Sequence, residues 1–345
     1  MSAKPQPNKI AEPQFRTINP PPTPPAPAPP AAPPAKNWLV AFGEAMAKGH
    51  DLASLPIEPR PTQMGSWMKR ADLGMIYAAR GVGKTWMSMM LAHALADGDG
   101  LGEWAAGEKG SLSVLYVDGE MNLEDSVERE KTIRQMMGGG ASPVFLHHEA
   151  LPDGHCFNLA DPEQQESLLK LVKDSGVEVL ILDNLSTLCR GVDENDNNAW
   201  EQMSHWLRQF RRAGVTVILI HHEGRGGGGA RGASKREDDM HWVMRLTAST
   251  IADENGAEFT SNFTKCRNCK AYLAPALKWR INSDGVECEK GGDLDTLVRL
   301  VNEGYTTCAE ISELTDWSKS HTSKLAKRAV DNGQIEKVGR TYKPL

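Results

Sequence analysis

Between positions 71 and about 290, short runs rich in Val, Ile and Leu alternate with longer stretches in which apolar residues return every three or four positions. Near-continuous apolar runs suit strands of a sheet covered on both faces, and the stretches between them carry the period of covering helices. The pattern predicts strands at 73–77, 113–118, 143–146, 177–183 and 215–220, two weaker ones at 241–251 and 259–265, and one at 277–281. The first five follow a βαβ rhythm and are expected to run parallel. Those after 240 are separated by short polar turns such as Asp253-Glu254-Asn255-Gly256 and are expected to run antiparallel. The fold class is therefore α/β, a mostly parallel sheet with helices on both faces.

The rhythm stops on both sides of this domain, 71–290. Residues 1–36 hold 13 of the 21 prolines and few apolar side chains to offset the entropy of ordering, so they are expected to be a disordered or extended tail, a tether or a docking ligand for a partner. Residues 37–70 read as a lead-in: Trp38-Leu39-Val40-Ala41-Phe42 starts a helix, and Pro56, Pro59 and Pro61 break it. Trp38 and Trp67 are read as packing residues, with a ring facing a bound ligand as the alternative. Gly291-Gly292 marks a linker to a last unit, 293–345.

Composition narrows the classes. A chain of 345 residues can bury a sizeable core and has room for about two domains. Its net charge of −6 gives no whole-protein attraction for nucleic acid, so any such contact must be local. Cys156, Cys189, Cys266, Cys269, Cys288 and Cys308 are scattered as reduced thiols would be, not spaced as a disulfide framework. With no apolar run of membrane-spanning length and no signal-like start, a soluble cytoplasmic protein without a membrane partner is expected.

The chemistry starts at Ala78-Ala79-Arg80-Gly81-Val82-Gly83-Lys84-Thr85, between the first strand and a helical run. A strand, a Gly-rich loop and a helix N-terminus form a cradle for a nucleoside triphosphate, because glycines let backbone N–H groups close on phosphate oxygens. Arg80, Gly81, Val82, Gly83, Lys84, Thr85 and Trp86 are the expected cradle. Lys84 would reach the β- and γ-phosphates, and the Thr85 hydroxyl would hold Mg²⁺. Ala78 stands where the pattern starts with glycine.

Three other strand ends add polar groups. Asp183 closes the run 177–183, where an open α/β sheet binds its ligand, and is the second Mg²⁺ candidate. Asp118-Gly119-Glu120 closes the run 113–118; Glu120 is the favoured base for orienting water, with Asp118 the competitor. His221-His222 closes the run 215–220. Adjacent strand residues face opposite sides, which disfavours a zinc site and leaves His222 as the better candidate for sensing the γ-phosphate.

Downstream, the Gly-rich basic segment 224–236 offers Arg225, Arg231, Lys235 and Arg236 to nucleic acid phosphates, or is a plain surface loop. Lys265 and Arg267 alternate at the end of a late strand and could complete a neighbouring subunit's nucleotide site, or be two solvated charges. Cys266 and Cys269 form a lone C-x-x-C with no second pair, which argues against metal or redox work.

Together these segments resemble the RecA-like ATPase superfamily, in the branch of plasmid RepA-type hexameric helicases and bacterial replicative helicases. The resemblance covers about residues 60–290 and rests on Arg80-Gly81-Val82-Gly83-Lys84-Thr85, Asp118-Gly119-Glu120, Leu182-Asp183-Asn184, His221-His222 and Lys265-Cys266-Arg267-Asn268. It implies a RecA-like fold using ATP and Mg²⁺. Glu120 is implied as catalytic glutamate, Asp183 as Walker B acid, His222 as γ-phosphate sensor, and Lys265 with Arg267 as a pair acting in trans. A homohexamer with single-stranded DNA through its ring is likewise implied, as is a role in replicating a plasmid, phage or mobile element. The alternatives kept open are an ATP-dependent DNA-binding regulator or loader that does not unwind, and a recombination mediator.

The last unit reads as a winged helix, with three short amphipathic helices and then an alternating pair of strands around Gly339. Residues 293–316 carry six acids against Arg299 alone, whereas 318–345 are basic, so the second half is the expected duplex-facing side. Ser320, His321 and Lys324 are its candidate contacts; protein docking is the other use of such a unit.

Overall fold

A computed structural model of the chain describes residues 38–46, 48–155, 157–189, 197–223, 233–248, 257–270, 273–282, 285–315 and 317–345, without the side chains of 38, 197–199 and 233–235. The Pro-rich tail and the turn at 253–256 lie outside these residues. The chain divides into two units after Glu58, inside the expected lead-in. The first unit contains α1 (Trp38–Ala45) and α2 (Gly49–Ala53); Leu39 and Phe42 of α1 and Met46 and Ile57 outside the helices are exposed.

The second unit opens with a hairpin, β1 (Thr62–Met64) and β2 (Met68–Lys69). Next come β3 (Leu73–Ala78), α3 (Lys84–Asp97), β4 (Val114–Asp118), α4 (Leu123–Met136) and β5 (Val144–His147). They are followed by α5 (Pro162–Asp174), β6 (Val179–Asp183), α6 (Leu185–Leu188), α7 (Asn197–Arg212), β7 (Thr216–His222), α8 (Ala233–Asp239) and β8 (Trp242–Ala248). Three further strands are β9 (Ala257–Cys266), β10 (Leu277–Asn282) and β11 (Gly285–Lys290). The chain ends in α9 (Asp293–Asn302), α10 (Cys308–Thr315), α11 (Lys319–Asp331) and the hairpin β12 (Ile335–Val338) and β13 (Thr341–Pro344).

Nine strands make one sheet in the order β11-β10-β9-β8-β3-β7-β6-β4-β5. From β8 to β5 neighbours are parallel, and from β8 outward to β11 they are antiparallel. This corrects one expectation: β8 pairs parallel with β3, and the change of direction comes one strand later. The sheet is mostly parallel with helices on both faces.

Alternation sorts side chains onto the two faces. Ile76 and Ala78 of β3, Val114 and Tyr116 of β4, Val179 and Ile181 of β6, and Ile218 and Ile220 of β7 share a core with α3. Leu73, Met75, Tyr77, Leu115, Val117, Leu180, Leu182, Val217 and Leu219 share the other with α5 and α7. By the same alternation Asp118, Asp183 and His222 belong to the α3 face and His221 to the other. Trp67 is fully buried, edge-on to Trp104 and Trp242, so it packs as expected. Gly74 is required beside it, because a Cβ there would lie 2.0 Å from the Trp242 ring. The last unit has its own core of Leu297, Leu300, Ile311, Leu325, Ala329, Ile335 and Tyr342.

Candidate functional site

β3 delivers the chain to the Gly-rich loop with Ala78 still in the strand, paired with His222 and Leu246. Strand geometry suits any L residue, which is why alanine is accepted at the first position of the pattern. Gly81 and Gly83 have φ of 77° and 110°, in the left-handed region that glycine alone enters without strain. Gly83 is constrained twice, since a Cβ there would meet Phe259 Cε1 at 2.8 Å. Beyond it α3 starts at Lys84, so the helix N-terminus with its unpaired N–H groups faces the loop.

Lys84 is buried and its Nζ donates to the carbonyls of Ala78 and Ala79, at 3.3 and 3.0 Å. Burial lowers its pKa, and the carboxylates of Asp183 and Glu120 oppose that shift. Arg80 and Gly81 are exposed, Val82 is buried and Thr85 half-buried. Trp86 is half-buried beneath the Arg129 guanidinium, 5.0 Å above its ring, so it packs within the protein.

At the next strand ends two aspartates have opposite fates. Asp118 is consumed by its own turn: Oδ1 accepts from the amides of Glu120 and Met121 at 3.0 and 3.1 Å, and Oδ2 from Ser126 Oγ at 2.6 Å. Asp183 accepts at Oδ2 from the Tyr116 hydroxyl at 2.5 Å, which in turn meets Ser88 Oγ of α3 at 2.8 Å. Its Oδ1 is buried without a hydrogen-bond partner. Burial pushes the Asp183 carboxyl up to about 6; Tyr116, and more weakly Thr85, pull the other way, while Asp118 and Glu120 add to the rise. An acid held uncomfortably in this manner gains most from a cation, so Asp183 Oδ1 and the Thr85 hydroxyl fit Mg²⁺.

Glu120, two-fifths exposed, reaches into the same rim. Its carboxylate accepts from Asn184 Nδ2 and lies 3.5 Å from His222 Nε2. His222 first, then Asn184 and Lys84, hold it below the usual carboxylate range against partial burial. Asn184, fully buried, is also 3.1 Å from His222 Nε2, while its Oδ1 accepts from Thr187 N and caps α6. His222 Nδ1 is buried without a partner. Thus Lys84, Thr85, Glu120, Asp183 and His222 share one end of the sheet. Asn184 and Tyr116 join them unanticipated: the one gave no signal beyond following Asp183, the other read only as a strand residue.

Lys265 and Arg267 are brought together at the opposite end. Strand register sets Trp242 beside both Gly74 and Cys266, at the start of β3 and not at Ala78. There Lys265 Nζ donates to Glu237 O, and Arg267 Nη2 to Asp238 O at 3.0 Å, in the last turn of α8. Cations are favoured there by the exposed helix carbonyls.

The expected nucleic acid loop fares differently. Arg225 and Arg231 lie outside the described residues, and Lys235 is described only as part of the α8 backbone. Arg236 is a correction: it is 6% exposed, its Nη1 is 2.9 Å from His221 Nε2, and its guanidinium lies 5.3 Å from the Trp200 ring. It borders a cavity of about 90 Å³ also lined by Ser186, Cys189 and Met203. The reason is helical: α8 begins at Ala233 and turns Arg236 inward. Ser320 and Lys324 are exposed on α11, whereas His321 is half-buried, 2.6 Å from Asp293 Oδ2. Among the described residues no cluster of three His, Cys, Asp or Glu could hold a metal, and no helix is long and apolar enough to cross a membrane.

A family described as an AAA domain matches residues 44–228, more than half of the chain. Among the solved structures that match is a KaiC-like protein from the hyperthermophilic archaeon Pyrococcus horikoshii OT3. It is 14% identical with a TM-score of 0.46, over 64% of this chain and 91% of that one. No curated protein matches.

Proposed function

We propose that this chain, which belongs to the AAA domain family, is an ATP-hydrolysing motor acting on DNA, of the RecA-like, RepA-type kind. The observation that carries the ATPase part is the convergence of buried Lys84, the unpaired Asp183 Oδ1 and the hydrogen-bonded Glu120 on the rim where the Gly-rich loop enters α3. The loop amides and Lys84 bind and orient the β- and γ-phosphates. Mg²⁺, held by Thr85 and Asp183, would neutralise phosphate charge. Glu120 orients the attacking water and accepts its proton, and a depressed pKa keeps it ionised and ready to accept. Asn184 positions that carboxylate against His222, whose buried Nδ1 is available to report whether a γ-phosphate is present.

Within one copy Lys265 and Arg267 are at the wrong end of β3 to touch this rim. They serve a neighbouring copy, in a ring of six through which single-stranded DNA passes. Duplex contact falls to the last unit, supported by the exposed Lys319, Ser320, Lys324, Lys327 and Arg328 along α11 and Lys337, Arg340 and Lys343 on the hairpin. Replication of a plasmid, phage or mobile element is the proposed setting. The second reading is an ATP-dependent DNA-binding regulator or loader. It is favoured by inward-facing Arg236, which removes one expected strand contact from the ring channel.

The test measures phosphate release with and without single-stranded DNA, and strand displacement on a forked duplex. Stimulation with displacement supports a motor; stimulation without displacement supports the second reading. No hydrolysis in the presence of Mg²⁺, or unchanged hydrolysis in Lys84→Ala, rejects the site.

A further inference from the structure

We propose that Cys266 and Cys269 form a reversible thiol–disulfide site, oxidised by low-molecular-weight disulfides such as glutathione disulfide, whose closure constrains the turn that carries Arg267. The spacing alone argued against redox work. The structure brings the two sulfurs to 3.5 Å, both half-buried at the end of β9. Among the described residues no other thiol pair is in contact, and burial pushes Cys189 up to about 12 and Cys288 up to about 11, leaving them poor nucleophiles. Cys266 differs: the Cys269 thiol and the amides of Asn268 and Cys269 donate toward it and lower it to about 7, with Cys269 pushed up in turn. One thiol is thus set to attack and the other to resolve.

The exchange balances without metal or oxygen. The Cys266 thiolate attacks one sulfur of the small disulfide, forming a mixed disulfide and releasing one small thiolate. Cys269 gives its proton to solvent base, and its thiolate attacks Cys266 Sγ and expels the second small thiolate. Two protein thiols have lost two electrons and two protons, and the small disulfide has gained them as two thiols.

Closing the bond draws the sulfurs from 3.5 Å to about 2.05 Å, so the turn must absorb a movement of about 1.5 Å. Arg267 lies inside the closed loop. Its neighbours resist the shift: Arg267 N donates to His241 O at 2.8 Å, and Asn268 Nδ2 to Asp72 Oδ2 and Trp67 O at 2.5 and 2.7 Å. The Arg267 side chain, on Asp238 O at 3.0 Å, is therefore the part free to be displaced. An effect on turnover rests on Arg267 serving a neighbouring copy's nucleotide, as proposed above.

The experiment equilibrates the full chain in glutathione buffers from reduced to largely oxidised, quenches with acid, alkylates after denaturation and maps peptides by mass. The peptide spanning 266 and 269 is expected to lose two hydrogens and escape alkylation while Cys189 and Cys288 still alkylate, and dithiothreitol should reverse this. Cys269→Ser should instead accumulate glutathione on Cys266. Both thiols alkylating at every poise, or glutathione absent from Cys266 in Cys269→Ser, overturns the site. Oxidised wild type should turn over ATP several-fold more slowly than reduced, and the Cys266→Ser/Cys269→Ser double variant should ignore the oxidant. A closed disulfide with unchanged turnover, in a protein that Arg267→Ala does slow, refutes the constraint on the turn and leaves the trans reading intact. A silent Arg267→Ala refutes the trans reading instead, and the peptide masses then decide the site.

Discussion

Asn184 offers the sharpest test of how the rim is organised, because it touches both Glu120 and His222 yet has no charge of its own. Replacing it with alanine removes a donor to a carboxylate, an interaction contributing about 1.5–3 kcal/mol. Glu120 is 41% exposed, so the lower end applies. If that energy holds Glu120 over the attacking water, about 1.5 kcal/mol corresponds to a roughly tenfold fall in turnover. The same change uncaps α6, whose Thr187 amide donates to Asn184 Oδ1 at 3.1 Å, and costs about 1 kcal/mol of stability. Asn184→Asp keeps the cap but sets a buried second carboxylate against Glu120, so an even larger loss of turnover should accompany a loss of stability that comes from the buried charge and not from the cap. Phosphate release at saturating ATP gives kcat, a fluorescent nucleotide gives affinity, and a urea melt gives stability. The expected pattern for Asn184→Ala is a kcat loss with affinity nearly unchanged. Turnover within about twofold of wild type would refute the positioning role.

Three other perturbations address the loop, the buried Asp183 and the assembly. Gly83→Ala meets both a φ of 110° and the Phe259 ring at 2.8 Å; a loss of about 1–3 kcal/mol in a urea melt, with weakened nucleotide binding, is expected. Asp183, raised to about 6 from 3.8, favours the fold most when protonated, so in metal-free buffer wild type should lose up to about 3 kcal/mol as pH rises from about 4 through 6. Asp183→Asn should abolish that slope and be the more stable protein at pH 7–8; parallel urea midpoints across this window would contradict it. Mixing Arg267→Ala with Glu120→Gln chains should recover hydrolysis above either alone, because some junctions then pair an intact Glu120 with an intact Arg267, and no recovery at any ratio excludes action in trans.

What the chain's pattern revealed depended on how thoroughly each strand is buried. β3, β4, β6 and β7 are covered on both faces, so their residues are apolar almost without break, and the first polar residue beyond each run marks the rim. That is why Asp183 and His222 could be singled out from sequence. Direction is not written in such runs, and β8, with Arg245 and Thr247 among its apolar residues, was expected antiparallel although it pairs parallel with β3. The edge strand β11, Gly-Val-Glu-Cys-Glu-Lys, is too polar to stand out and escaped notice. Side-chain partnerships were the least legible. Asp118 and Glu120 both ended one strand, and only the amides gathered on Asp118 separate a turn-former from the carboxylate that reaches the rim. Arg236 looked like one of a basic run until α8 turned it onto Trp200 and His221.

The two ends of β3 bring these observations into one argument about assembly. At its far end Ala78 leads into the loop of Lys84, and its carbonyl accepts from Glu223 N, the residue after His222. At its near end Asp72 receives Asn268 Nδ2, Arg60 Nη1 and Lys69 N, and so anchors the turn holding Arg267. Six strand residues between them span about 20 Å, beyond the reach of an arginine side chain. If Arg267 contributes to hydrolysis, its target is another copy whose loop end meets this copy's Arg267 end. A two-fold dimer with its β3 strands antiparallel would let each copy's Arg267 end meet the other's loop end, exchanging both arginines at once. A head-to-tail contact repeated around a closed ring or along a filament satisfies the same geometry, and in either arrangement each rigid strand links the nucleotide its own copy binds to the one it serves next door.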